Sequence, residues 1–291
     1  MKPNNYTDND YELWNEPAVE ISNEELEAEF DSFRNRISRR RRGRSIAVFL
    51  SAAVVTGVFF LLGLSLGWEG SSRQDDGVQW TEVCVGRGEQ RQILLSDGSR
   101  ITLASGSRLL YPDEFSRKTR DVYMNGEALF EVSADKKHPF NVYVNGTAVQ
   151  VTGTKFDVKA FQDEDSQVIT LMEGSVHVTP SGSSSAIDMT PGKALAINVR
   201  TGNVNLFDVP QSKYPAWFKG EYSAYNVPLC QIASDLERIY NVNVIFKRKN
   251  LENQIFYISI VEASCVDSVL KALEMTGDVR VRKDGNDVYL Y

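Results

Sequence analysis

Hydrophobic residues follow different spacings along the chain, and each spacing predicts a different kind of structure. In the tail, residues 1–44, the first 21 or so residues are polar, and apolar side chains recur every three or four positions only from Leu26 to Ile37, which is typical of an amphipathic helix. Residues 45–67 are almost entirely apolar. Residues 80–210 contain short alternating runs that end in turn dipeptides, and residues 217–291 mix both spacings. The pattern predicts a polar tail, a hydrophobic span, a β-rich domain and a smaller α+β domain.

The apolar run is predicted to be a transmembrane helix, because Ser45–Leu66 contains no charged residue and about 20 apolar residues cross a hydrocarbon core of about 30 Å. Basic residues beside a span stay in the cytoplasm. Here they precede it, so we expect a cytoplasmic amino terminus. A cleaved signal peptide is the alternative, but this run begins too late and is too long for one. The arginines that set the topology are Arg39, Arg40, Arg41, Arg42 and Arg44.

The cytoplasmic tail is predicted to form one amphipathic helix. Ser22 and Glu25 have the spacing of a capping box at its start. A single short helix is marginal in water and has no core of its own to pack against. Its apolar stripe is therefore expected to contact a partner protein, a second copy of the chain or the membrane surface. The stripe consists of Leu26, Phe30, Phe33 and Ile37.

The β-rich region carries strong turn signals. Asp97-Gly98, Asn125-Gly126 and Asn145-Gly146 supply the positive φ angles of tight hairpin turns. Gly153 and Gly174 are expected where strand ends approach each other closely. Strand-and-turn units at this spacing predict an all-β sandwich or a short β-solenoid. Aromatic residues are expected to fill its core, namely Phe130, Phe140 and Phe156.

The carboxy-terminal region repeats one pattern twice. Tyr222–Phe246 and Tyr257–Val281 each have the order strand, helix, strand, and their alignment places Cys230 on Cys265. Two such halves predict a small split βαβ domain. Three widely spaced cysteines do not make a disulfide framework. We expect Cys84 and the two aligned cysteines to pack in apolar surroundings, with no disulfide between the aligned pair.

Composition, charge and motifs exclude several classes of function and show no candidate reactive site. The net charge is −7, and no basic surface for nucleic acid stands out. The two histidines lack a zinc-ligand spacing, and no nucleotide-binding, metalloprotease or serine-hydrolase motif occurs. Glu127 and Glu173 resemble a carboxylate pair, but hydrogen bonds that specify the fold are their expected role. We therefore expect no enzyme, no cofactor and no metal.

A series of short motifs then gives the chain a specific resemblance. In order, they are Leu95–Ser99, Ser107–Pro112, Arg120–Val132, His138–Val142, Val151–Val158, Leu171–Val176, Pro191-Gly192 and Trp217. This series resembles the FecR family of membrane-spanning sigma-factor regulators, in the form common in Bacteroidetes. The carboxy-terminal repeat resembles the secretin/TonB short N-terminal domain that follows the FecR domain in such proteins. The signature residues are Asp97, Gly98, Ser99, Tyr111, Pro112, Gly126, Glu127, Phe130, Phe140, Gly153, Thr154, Phe156, Glu173, Gly174, Pro191, Gly192 and Trp217.

The resemblance implies an anti-sigma factor in the bacterial inner membrane, with a periplasmic carboxy terminus. In such proteins the periplasmic part contacts the signalling domain of a TonB-dependent outer-membrane transporter, and the cytoplasmic part binds an extracytoplasmic-function (ECF) sigma factor. The Leu26–Ile37 stripe is then the expected grip on the sigma factor. Val279–Val281 and Val288–Leu290 are the expected strand edges for the transporter. The alternative is a membrane-tethered periplasmic scaffold or glycan-contacting β-protein without sigma binding.

Overall fold

The structure, a computed structural model, describes residues 78–276 and 279–291. The predicted span Ser45–Leu66, the arginines before it and the Leu26–Ile37 stripe lie outside the described residues. Within the described ranges, no helix is both long enough and apolar enough to cross a membrane. The structure therefore concerns the two domains that follow the predicted span.

Thirteen strands build the first of these domains, the β-domain. They form one sheet with the main order β11-β10-β7-β6-β5-β8-β9-β12-β13, and β3 and β4 also pair with β5. The strands are β1 Trp80–Cys84, β2 Arg91–Leu94, β3 Arg100–Leu103, β4 Arg108–Pro112, β5 Arg120–Glu131, β6 Phe140–Val144, β7 Thr147–Val151, β8 Lys155–Ala160, β9 Ser166–Glu173, β10 Val176–Thr179, β11 Ile187–Met189, β12 Lys193–Asn198 and β13 Val204–Asp208.

Strand β5 connects the two halves of this sheet. Its first half pairs with β4 and β6, and its second half pairs with β3 and β8. Gly126 lies at the changeover with a φ of 106°. A Cβ atom there would lie 2.7 Å from the Cα of Ser107, so the position excludes any side chain. The predicted hairpin turn at Asn125-Gly126 is therefore wrong, because the glycine bends a continuous twelve-residue strand.

The curled sheet encloses one apolar core to which both halves contribute. Phe130, Phe140 and Phe156 are fully buried there, as predicted, and the rings of Phe130 and Phe156 stack with 4.9 Å between centroids. The mainly β prediction is confirmed. The two halves that enclose the core are not separate sheets of a sandwich, however. They belong to one sheet, because β5 is long enough to pair with strands of both halves. The solenoid alternative is wrong, since the pairs in this sheet are antiparallel except for β5 with β6.

Two other turn predictions agree with the structure. Asn145 and Gly146 connect β6 to β7 with φ angles of 44° and 77°, as a two-residue hairpin turn requires. Gly153 and Gly174 do allow a close approach. A Cβ on Gly153 would lie 2.7 Å from the Cα of Ala134, and one on Gly174 would lie 2.8 Å from the carbonyl oxygen of Gly153.

The second domain, the α+β domain, has the predicted order of two βαβ units. β14 pairs with β16, while β18 lies between β15 and β17 in a separate three-stranded sheet. Helices α1 and α2 pack between these strands around a second apolar core. The elements are β14 Tyr222–Pro228, α1 Leu229–Tyr240, β15 Asn243–Phe246, β16 Ile255–Ile260, α2 Val266–Thr276, β17 Val281–Asp284 and β18 Asp287–Leu290.

Two expectations about strand edges and cysteines are corrected. Val288–Leu290 belongs to β18, which is paired on both sides and therefore has no free edge. Cys84 and Cys265 are exposed instead of packed in apolar surroundings, because one lies at the outer end of β1 and the other precedes α2. Cys230 is half-buried, and none of the three cysteines forms a disulfide.

Candidate functional site at the domain junction

Arg238 of α1 is the centre of a charged cluster that joins the two domains. Arg238 is only 8% exposed. One guanidinium nitrogen lies 3.0 Å from Oδ2 of Asp163, and the other donates to Glu164 and, at 2.8 Å, to Oδ1 of Asp235. The guanidinium also lies 3.9 Å from the ring centroid of Phe161. Asp163 and Glu164 belong to the turn between β8 and β9, so one side chain fastens α1 to the β-domain.

Lys159 of β8 is the second cation of the cluster. Its Nζ lies 2.9 Å from Oδ1 of Asp235 and 3.7 Å from Oε1 of Glu164, so both carboxylates bridge the two cations. Burial alone would lower the pKa of Lys159, but Asp235 and Glu164 raise it above its ordinary value. The hydroxyl of Tyr222 donates to Oδ2 of Asp235 at 3.3 Å. The cross-domain ion pair therefore remains charged at physiological pH.

A buried aspartate extends the cluster towards the interdomain linker. The indole Nε1 of Trp217 donates to Oδ1 of Asp157 at 3.0 Å, and the linker tryptophan is thereby held against β8. Burial raises the pKa of Asp157 to about 7, although the Trp217 hydrogen bond and Lys159 oppose the shift. Glu127, half-buried on β5, also has a raised pKa, because of burial and then the charge of Asp157.

The cluster is therefore rich in acid. Its two cations face five carboxyl groups, and the burial of so many carboxylates favours the binding of protons by some of them near neutral pH. No group of acidic, histidine or cysteine side chains in the described part has a metal-binding arrangement. The arrangement can hold two domains together and make that contact sensitive to pH. The carboxyl groups are Glu127, Asp157, Asp163, Glu164 and Asp235.

Backbone contacts support the same junction. The amide of Gly88 donates to the carbonyl of Arg238 at 2.8 Å, and the side chain of Gln90 donates to the carbonyl of Trp217 at 3.3 Å. The β1–β2 connection thus contacts both α1 and the interdomain linker. Contacts from several separate segments make the junction a continuous interface and not a single ion pair.

The first signature motifs converge at another place, beneath the end of the β2–β3 hairpin. Oδ2 of Asp97 accepts hydrogen bonds from the hydroxyl of Ser99 and, at 2.7 Å, from the buried guanidinium of Arg120. The same guanidinium donates to the carbonyls of Ser133 and His138 at 2.9 and 2.8 Å. Three motifs that are distant in sequence are thereby tied by one arginine, which gives Asp97, Gly98 and Ser99 a structural role.

The other signature residues also lie at contacts between strands. The hydroxyl of Ser107 bonds to both the main-chain amide and the carbonyl of Glu127, next to Gly126. The hydroxyl of Thr154 donates to the carbonyl of Ser175, beside Gly174. Tyr111 and Pro112 pair with β1, and Pro191-Gly192 forms the turn into β12.

Glu127 and Glu173, which resembled a carboxylate pair in the sequence, lie in different surroundings. Glu173 is exposed at the end of β9, opposite Lys155 in register. Glu127 faces the junction, opposite Lys159 on β8. Sequence reasoning selected Trp217 and Glu127 from this site but missed Lys159, Glu164, Asp235 and Arg238. Their burial depends on the docking of segments more than 70 positions apart, so no local pattern could reveal it.

Comparisons with known proteins place both domains. Residues 81–177 match the family model described as FecR protein, and residues 221–290 match the model described as FecR, C-terminal. Two crystal structures of a candidate anti-sigma factor from Parabacteroides distasonis ATCC 8503 are similar at 29% identity and a TM-score of 0.68. The structure at 2.50 Å resolution covers 73% of this chain and 99% of its own, and that at 1.65 Å covers 72% and 98%. No curated protein matches the chain.

Proposed function

The chain belongs to the FecR family, and on that premise we propose that it is an anti-sigma factor that conveys a periplasmic signal to an ECF sigma factor. The observation that supports this most strongly is the match of both domains in their family order. The similarity to the Parabacteroides protein adds to it, since nearly all of that chain is covered at 29% identity. The function is regulatory and needs no reactive centre.

The proposed topology is a single pass through the inner membrane. Ser45–Leu66 is the span, and the arginines before it hold the tail in the cytoplasm. The β-domain and the α+β domain then lie in the periplasm. A reporter enzyme that is active only in the periplasm, fused after Tyr291, is expected to be active. Activity only when the reporter is fused before Ser45 would reverse the topology.

The proposed grip on the sigma factor is the stripe of Leu26, Phe30, Phe33 and Ile37. Each large apolar side chain contributes about 1.5–3 kcal/mol when it is buried. A stripe of this spacing suits the binding of a helix in an apolar groove. The arginines beside the span would keep the bound sigma factor at the membrane and away from the chromosome.

The proposed periplasmic partner is the signalling domain of a TonB-dependent transporter, which contacts the α+β domain. The charged junction would transmit a structural change caused by this binding to the β-domain. It can do so because Arg238 and Lys159 join α1 to strand β8 and to the turn that follows β8. A change at the α+β domain would then alter the part of the chain nearest the membrane span.

The decisive experiment replaces Phe30 and Phe33 with aspartate in the full chain. We expect the variant to lose sigma-factor binding and to change transcription of the target genes. The matched control replaces Glu24 and Glu27, on the opposite face of the predicted helix, with glutamine, and should bind normally. If the unaltered chain binds no ECF sigma factor, the anti-sigma proposal is wrong and the scaffold alternative gains support. If the unaltered chain and the aspartate variant bind equally, the grip lies elsewhere.

A further inference from the structure

A glutamate caps one backbone amide on each edge of the three-stranded sheet in the α+β domain. Oε1 of Glu237, on α1, accepts the backbone amide of Val244 on β15 at 2.8 Å. Oε1 of Glu274, on α2, accepts the amide of Val281 on β17 at 2.9 Å. Amides at sheet edges otherwise recruit strands from other chains. In both pairs the glutamate precedes the capped residue by seven positions. The caps disfavour strand addition at the predicted Val279–Val281 edge, of which only Val281 belongs to β17.

The outer face of the same sheet offers a different kind of contact. Tyr289 lies in its middle strand, opposite Ile245 on β15 and Arg282 on β17. The Nζ of Lys247 lies 4.7 Å from the centroid of the Tyr289 ring, and the guanidinium of Arg282 lies 5.5 Å from it. Tyrosine and arginine are enriched among the residues that contribute most to binding in protein interfaces, and a cation beside a tyrosine ring is attracted by it.

The charges on this face are unevenly distributed. Arg280 exchanges two backbone hydrogen bonds with Tyr291, so its side chain starts at the same end of the sheet as Lys247. Arg248 and Lys249 follow in an exposed segment. Within the described part, neither Lys247 nor Arg280 has a carboxylate partner at ion-pair distance. Arg282 forms an exposed ion pair with Asp284, with 3.6 Å between a guanidinium nitrogen and Oδ2. Asp284 and Asp287 lie at the opposite end, where Asn243 donates to Asp287 at 2.8 Å.

We propose that this outer face is the docking surface for an acidic segment of the partner's signalling domain. The surface is defined as Ile245, Lys247, Arg280, Arg282, Tyr289 and Tyr291. The inference rests on the proposed function and adds to it the surface and the chemistry of the contact. The partner's carboxylates pair with Lys247, Arg280 and Arg282, while an apolar side chain covers Tyr289. The acidic end of the sheet repels the same segment and so fixes its direction.

The test measures binding of the full chain, in detergent, to the purified signalling domain of a TonB-dependent transporter from the same organism. Replacement of Lys247 and Arg282 with glutamate is expected to weaken binding at least about 10-fold. The matched control replaces Lys137 and Lys271, which are exposed and outside the surface, with glutamate and changes the net charge equally. It should change affinity less than about 2-fold, as expected for charges remote from the interface.

A second pair of variants tests the aromatic centre without a change of charge. Tyr289→Ala is expected to weaken binding about 10-fold or more. Tyr257→Ala, at a tyrosine that is 60% exposed on the two-stranded sheet, serves as its control and should bind normally. Thermal unfolding of every variant shows whether a loss of binding comes from a loss of fold, and Tyr289→Ala and the glutamate variant provide independent routes to the result.

The possible outcomes test the proposed partner and the proposed docking surface separately. If the unaltered chain does not bind the signalling domain, the transporter is not its partner, and the docking surface is overturned with it. If the unaltered chain binds and the surface variants bind equally well, the transporter remains the partner but this surface is wrong. Loss of binding in the glutamate variant, with recovery when acidic residues of the signalling domain are replaced by lysine, supports the surface directly.

Discussion

The junction and the outer face of the three-stranded sheet use the same kinds of side chain in opposite environments. At the junction, Arg238 and Lys159 are enclosed with carboxylates and an aromatic ring. On the outer face, Lys247 and Arg282 lie beside Tyr289 but remain exposed. Buried charges depend strongly on their partners, whereas exposed charges contribute little to stability and remain available for binding. The first region holds the molecule together, and the second is suited to a partner.

The largest expected difference comes from the removal of Arg238. Arg238→Ala removes one of the two cations that the buried carboxylates of Glu164 and Asp235 share, and it should lower the free energy of unfolding by about 3–5 kcal/mol. Arg282→Ala, the matched change on the outer face, should lower it by no more than about 0.5 kcal/mol. Chemical denaturation of both variants measures the contrast. Equal losses would show that the two regions do not differ as described.

The pH dependence of the junction gives the second test, through Asp157→Asn. The folded-state pKa of Asp157 is raised to about 7, so ionisation destabilises the fold as the pH rises from the unfolded-state pKa, about 3.9, to 7. The destabilisation is complete above pH 7 and absent below about pH 4. Asparagine avoids it and still accepts the Trp217 hydrogen bond.

The variant should therefore be more stable than the unaltered chain at pH 8, on the order of 2–4 kcal/mol, and equal to it at pH 4. Denaturation at several pH values checks this. Glu127, Glu164, Lys159 and Asp235 face the same site, and Glu127→Gln should act in the same direction, because burial also raises the pKa of Glu127. A variant that is less stable at pH 8 than at pH 4, relative to the unaltered chain, would contradict the argument.

The edge caps predict an intermediate effect. Glu274→Ala removes the acceptor of the Val281 amide, and because this hydrogen bond is exposed it should lower the free energy of unfolding by about 0.5–1.5 kcal/mol. Glu274→Gln keeps an acceptor oxygen and should lose less. Because the uncovered edge can pair with another chain, the alanine variant is also expected to self-associate in light scattering. A monomeric alanine variant of full stability would show that the cap is not needed.

The smallest stability effect is expected on the outer face itself. Lys247→Met keeps the length of the side chain and removes the charge beside Tyr289, and its free energy of unfolding should change by less than about 0.5 kcal/mol. The melting temperature, compared with that of Lys271→Met on α2, measures this. A large loss would mean that Lys247 is part of the fold, and the face would then resemble the junction.

Strands, helices and some turns were predictable from the sequence, whereas contacts between distant segments were not. The order strand, helix, strand in each half of the carboxy-terminal repeat was predicted correctly, because the hydrophobic spacings that indicate strands and helices are local. The turn at Asn145-Gly146 was found for the same reason. Asn125-Gly126 misled, since the same dipeptide can bend a strand when a neighbour such as Ser107 fills the space. Arg238 looks like an ordinary exposed helix residue until the β8–β9 turn covers it.

Strand β5 also has a consequence for the order in which the β-domain folds. Its partners β3 and β4 precede it and β6 and β8 follow it, and all four are near in sequence. Pairing between nearby segments is fast, while distant pairing is slow. We expect the sheet to grow outward from β5, with β12 and β13 added last. A chain that stops before β8 would leave one side of this central strand open, and such a fragment is prone to aggregate.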